Sequence, residues 1–170
     1  MSVVVAVTCV VLCAAVLAAG YIHAPDWKNC DSSWGLDKVG NCSFSICNSD
    51  GSLVSLAMYM AAGGGGPGNP GKVNKLMKEI NCFNPDCSLN WQCVATVVGH
   101  YNGTRRPEYD EMPHLIDSNA CVIGRFREDS TYALVVGYDI TNFLIANNPR
   151  GNSGPTLYKD FKDFVVILPY

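Results

Sequence analysis

Thiols and imidazoles are the side chains here whose pairing would give chemistry at neutral pH. A thiolate attacks a carbonyl carbon, and an imidazole carries the proton. The chain holds nine cysteines and three histidines. Cys47 stands four residues ahead of Gly51 in Ser45-Ile46-Cys47-Asn48-Ser49-Asp50-Gly51-Ser52, where a loop runs into a helix that starts on small residues. A thiol at a helix N-terminus is acidified by the partial positive charge of the free N–H groups. Cys47 falls outside that first turn, and a disulfide competes for its sulfur. His23, His100 and His114 are the available imidazoles. His100 ends a predicted helix, where a cation suits the dipole, and neither it nor His114 begins a strand with a tail like Leu134-Val135-Val136-Gly137-Tyr138-Asp139. Ser52 and Ser55 lack any base that can be named, so they read as a first-turn and a packed helix residue. Cys82, Cys87 and Cys93 do not have a standard zinc spacing and no pair of histidines follows them, so neither metal nor cofactor is expected.

Helices must position these groups first, and strands later. Ser49 or Asp50 can cap a helix over Ser52–Ala62, with Leu53, Leu56, Ala57 and Met60 as its buried stripe. The run Gly63–Gly66 ends it, within a loop that could serve as a lid or a plain connector. Pro70 opens a second helix, Gly71–Ile80, with Val73, Leu76 and Met77 on one face. Asn84-Pro85-Asp86 is a turn, and Ser88 can cap a third helix through Val98. Gly103–Pro113 reads as loop or frayed helix, and His114–Ser118 as a helical turn. Then the period changes. Ala120–Phe126, Thr131–Asp139, Asn142–Asn148 and Asp163–Leu168 are short β-rich runs between turn residues. Short connections predict an antiparallel sheet, and helices before strands predict an α+β class.

Val3–Ala19 is almost wholly apolar, and no Asp, Glu, Lys or Arg precedes Asp26. Ala18-Ala19-Gly20 offers small residues for a cut near Gly20–Tyr21, so residues 1–20 read as a secretory signal and 21–170 as one domain. With no Lys or Arg ahead of the run, a signal anchor is the alternative. Removal of the signal takes Cys9 and Cys13 and leaves Cys30, Cys42, Cys47, Cys82, Cys87, Cys93 and Cys121. In an oxidising compartment these are disulfide candidates, and seven is odd, so at least one is free or bonds another chain. The sequons Asn41-Cys42-Ser43 and Asn102-Gly103-Thr104 fit secretion and mark Asn41 and Asn102 for glycosylation. A net charge of −3 without a basic stripe argues against nucleic acid. Trp27, Trp34 and Trp91 read as packing residues, as do Tyr132, Tyr138 and Tyr158. Arg105, Arg106, Arg125 and Arg127 read as solvated, although Arg125 and Arg127 share a strand face and could meet an acidic partner.

Several local motifs, in order, resemble the papain-like peptidases of the bacteriocin-processing (double-glycine leader) kind. Asp26-Trp27-Lys28-Asn29 is similar to an N-terminal "DxxWKN" segment, and Ser45–Met58 to "TIGxxGCxxTSLAM". Asn69–Leu76 is loosely similar to a "tPxxLNxxL" helix, followed by a Trp-bearing helix at Asn90-Trp91. Asn119–Ile123 resembles "GxPVIv", Thr131–Asp139 resembles "HxVVVxGYD", and Ala146–Pro149 resembles "INDP". The resemblance covers most of residues 21–170 and implies a papain-like fold, with N-terminal helices packed on a C-terminal antiparallel sheet. It puts the nucleophile position at Gly51, the base at Thr131, the orienting group at Asn148 and the oxyanion helper at Ser45. Glycine has nothing to attack with and threonine is no base at neutral pH. Losing both members removes several orders of magnitude of rate. The expectation is a secreted, disulfide-stapled pseudo-peptidase that binds an extracellular protein, peptide or glycan, or self-associates, with no membrane contact after signal cleavage. The alternative is an active secreted cysteine peptidase using Cys47 with His114 or His100 and Asn148.

Overall fold

The computed structural model describes residues 20–63, 66–139 and 141–170. The signal assigned to residues 1–20 lies outside them but for Gly20, and so do residues 64 and 65 of the glycine loop. Among the described residues, four α-helices and six strands form an α+β architecture: α1 (Ser52–Ala61), α2 (Pro70–Glu79), α3 (Trp91–Val98), β1 (His100–Arg105), α4 (Met112–Asp117), β2 (Cys121–Phe126), β3 (Tyr132–Tyr138), β4 (Phe143–Asn147), β5 (Gly154–Leu157) and β6 (Phe161–Leu168). The strands make one antiparallel sheet in the order β1-β6-β2-β3-β4-β5. No helix among the described residues is long and apolar enough to cross a membrane.

The first helix departs from the expected single stripe. Every residue from Ser52 to Met60 is buried, as befits a helix enclosed by the core rather than lying on it. One side packs on β2 and β3 and another on α2. The Trp27 amide reaches the Met58 sulfur at 3.3 Å. Each fully buried Leu or Met here contributes about 1.5–3 kcal/mol. The second helix is capped by Asn69, whose side chain accepts from the Lys72 amide at 2.9 Å. Buried Asn74 ties it to the preceding loop, accepting from the Gly40 amide and donating to the Lys38 carbonyl.

Two local expectations are corrected, and one strand is added to those expected. The cap of α3 is Asn90, whose carboxamide accepts from the Cys93 amide; Ser88 instead donates to Asp86 in the preceding turn. The stretch Gly103–Pro113 is not a loop or frayed helix throughout, since its first residues belong to a strand. His100–Arg105 is an edge strand, held by its register with β6, so His100 begins a strand and does not end a helix. Gly154–Leu157 is a second edge strand, and Pro155 there is tolerated because edge positions need no donor on the outer side.

Candidate functional site

Gly51 precedes α1 with φ 89°, a left-handed conformation that suits glycine. Buried Gly51 sits against two segments of the sheet. A Cβ placed on it would lie 2.9 Å from the Tyr132 carbonyl oxygen and 3.5 Å from Pro149 Cβ and Cγ. The Tyr132 amide donates to the Asp50 carbonyl at 2.8 Å. The start of α1, the start of β3 and the end of β4 therefore meet at one point. Thr131 and Asn148 line one depression of about 460 Å³ with Phe126, Arg127, Glu128, Asp129, Lys159 and Asp160. Gly51 does not line that depression; its close neighbours Tyr132 and Pro149 each stand one residue along the chain from Thr131 and Asn148.

None of the three positions is poised for acyl transfer. Thr131 is buried; its hydroxyl donates to Asp129 Oδ1 at 2.7 Å and its amide to the same oxygen at 3.0 Å. Burial alone would raise the Asp129 carboxyl. The Thr131 hydroxyl and amide, with the Arg150 charge, outweigh it and hold Asp129 below the usual carboxylate range. Asn148 turns its side-chain oxygen to the Arg150 amide at 3.0 Å. The donor at the head of α1 is also committed: Asp50 Oδ1 accepts from the Ser52 amide at 2.9 Å and the Ser52 hydroxyl at 2.6 Å. A carboxylate thus occupies the helix end that would stabilise a thiolate. Ser45 pairs its backbone with Lys38 and makes no side-chain cap.

The cysteines resolve the nucleophile question. Cys30 bonds Cys47, Cys42 bonds Cys87, and Cys82 bonds Cys93. Cys121 is free and buried within β2, and burial pushes its thiol up, away from the reactive thiolate. Cys47 as the attacking sulfur is therefore corrected: its sulfur is spent on Cys30, with Cα atoms 4.2 Å apart. His100 and His114 are exposed on β1 and α4, and no histidine lines the Thr131–Asn148 depression. Among the described residues no cluster of three His, Cys, Asp or Glu side chains could hold a metal ion.

Arg125 is also reassigned. It is not a solvated cation awaiting an acidic partner, because it grips Asp163 with two nitrogens, Nε at 3.0 Å and Nη2. Tyr132 lies beside this pair and packs on Trp91 with ring centres 6.3 Å apart. Burial raises the Tyr132 phenol, and the Arg125 charge pulls it the other way. Trp34 is buried, donates from its indole to the Lys28 carbonyl at 2.9 Å, and contacts Trp27.

Sequence reasoning missed two residues at this junction. Asp129 is one; the Asp129-Ser130-Thr131 spacing, an Asx-turn pattern, was the available signal. Lys28 is the other. Its Nζ donates to Asp26 Oδ1, the Asn148 and Gly151 carbonyls and Ser153 Oγ at 2.8–3.1 Å. Those acceptors lie more than a hundred residues away, except Asp26, and nothing local announces them. Compared with protein families, curated proteins and solved structures, the chain matches none.

Proposed function

We propose that this chain is an exported papain-like scaffold of the bacteriocin-processing peptidase kind from which the reactive pair has been lost, and that it acts outside the cell as a binding or assembly protein. The observation that carries this reading is the meeting of the Gly51, Thr131 and Asn148 segments at the head of α1. Those are the places where the resemblance puts nucleophile, base and orienting group. Three disulfides and a buried free thiol are compatible with an extracellular domain. The ligand surface is the depression beside the junction, which mixes Arg127 and Lys159 with Glu128, Asp129 and Asp160. Such mixed charge suits a polar peptide or sugar better than a polyanion.

The test is turnover of fluorogenic peptides that carry a double-glycine cleavage site, using disulfide-intact protein, with and without iodoacetamide. The expected result is no cleavage above the uncatalysed rate in either sample. Cleavage that iodoacetamide abolishes would overturn the proposal.

A further inference from the structure

Of the two sheet edges, β5 is short and carries Pro155, which already discourages strand addition. The other edge, β1, has six residues and no proline. Its inner side pairs with β6, and among the described residues no strand covers its outer side. An open edge of this length is a template for pairing with another chain. The register of β1 breaks between Tyr101 and Gly103, so Asn102 is the extra, unpaired residue of a bulge. Asn102 is exposed, and it heads the sequon Asn102-Gly103-Thr104. Its side-chain oxygen accepts from Arg105 Nε at 3.1 Å, and the amide nitrogen, the atom that glycosylation uses, takes no part in that contact.

We propose that Asn102 carries an N-linked glycan, and that this glycan closes the free edge of β1 against a second copy of the chain. In the transfer the Asn102 amide nitrogen attacks the anomeric carbon of an oligosaccharide carried on a lipid diphosphate. An N–C bond to that carbon forms as its C–O bond to the diphosphate breaks. The lipid diphosphate leaves with the bonding electrons, and the amide loses one proton. Bulk at a bulged edge residue stands where an incoming strand would lie, and a hydrated sugar resists the desolvation that pairing requires. Asn41 heads the other sequon, but it lies away from the sheet, in a loop whose Cys42 is bonded to Cys87.

The proposal rests on export, and the experiment separates the two. The full chain bearing Asn41→Gln is expressed in a eukaryotic secretory host. Medium and cell fractions are compared by peptide mass mapping before and after peptide-N-glycosidase. The expected result is secreted protein whose Asn102 peptide shifts on enzyme treatment, and which sediments as a monomer. Thr104→Ala and Asn102→Gln, both of which remove the sequon, are expected to gain a concentration-dependent dimer. Two variants are used because Thr104 Oγ1 also contacts the Tyr101 hydroxyl at 2.9 Å. Secreted protein with an unmodified Asn102 peptide would overturn this proposal alone. So would unglycosylated variants that sediment as the parent does. Chain retained in cells with residues 1–20 attached would overturn the export reading along with it.

Discussion

The Tyr132 carbonyl oxygen lies 2.9 Å from where a Cβ on Gly51 would stand. Real Cβ atoms do not approach backbone oxygen that closely without displacement. The same strand residue is pinned to this loop, because the Tyr132 amide donates to the carbonyl of neighbouring Asp50. A side chain at Gly51 is therefore excluded twice, by its left-handed φ of 89° and by the neighbouring strand.

Gly51→Ala is expected to destabilise the protein by about 1–3 kcal/mol, from backbone strain and the displaced Tyr132 carbonyl. For a domain of this size that lowers Tm by roughly 2–4 °C per kcal/mol. Calorimetry checks it, and an unchanged Tm would show that the junction yields freely. Gly51→Cys combined with Thr131→His is expected to give no peptidase activity, since the new side chain at Gly51 enters occupied space beside the Tyr132 carbonyl. Turnover by that double variant would mean the junction can open.

Cys121 is the single free thiol among the described residues. The native protein is expected to resist iodoacetamide at neutral pH and to take up one equivalent after unfolding without reductant. Mass spectrometry reads both states. Fast labelling of the native protein would contradict the buried placement of Cys121 in β2.

Removing the Cys42–Cys87 bridge by paired serine substitution is expected to cost more than removing Cys30–Cys47. The first closes a separation of 45 residues and the second 17. Chain-entropy reasoning puts the losses at roughly 4 and 3 kcal/mol. Urea unfolding midpoints for the two variants give the comparison, and the reverse order would show that the bridges act through native contacts.

Stability is expected to fall at both ends of the pH range. Asp129 is held down as described, and Glu111 is held down by its hydrogen bonds from Arg105, against burial and with the aid of the Arg105 charge. Both favour the folded state when ionised. Their contribution is whole above the unfolded carboxylate value of about 4 and is lost as pH drops through the folded values. Tyr59 behaves in the opposite sense: burial, then the nearby Cys121, pushes its phenol up to about 12. Its neutral form favours folding below the unfolded value of about 10, and that support disappears as pH climbs towards the folded value. Urea midpoints at acid, neutral and alkaline pH check both, and a flat profile would refute them.

Lys28→Met is expected to lower stability by about 1–2 kcal/mol, discounted for the partial exposure of the ammonium. Proteolysis within residues 21–28 should quicken. A variant as resistant as the parent would show that the other tethers of this segment suffice.

What the sequence made legible was whatever its own local pattern encodes. The small-residue start of α1, the Pro70 helix opening and the β-rich apolar run of β3 all carry their signal within ten residues. The loop reading from Gly103 failed at its start because only the distant β6 makes a strand of His100–Arg105. For β5, Gly154 and Pro155 argue against a strand except at an edge, and edge position is a property of the assembled sheet. Arg125 looked like a surface cation because Asp163 is 38 residues away. At the candidate site, Gly51, Thr131 and Asn148 were singled out by the resemblance, whereas Lys28 and Asp129 emerged only once the chain had folded back on itself.

Three successive residues fasten the helical half to the sheet. Lys28 grips the Asn148 and Gly151 carbonyls. The Asn29 amide reaches the Pro149 carbonyl while its side chain holds the Ser49 carbonyl. Cys30 is covalently joined to Cys47. The N-terminal strip therefore works as a rivet: the loop ahead of α1 and the turn after β4 are clamped to the same three residues and cannot drift apart without tearing that strip loose.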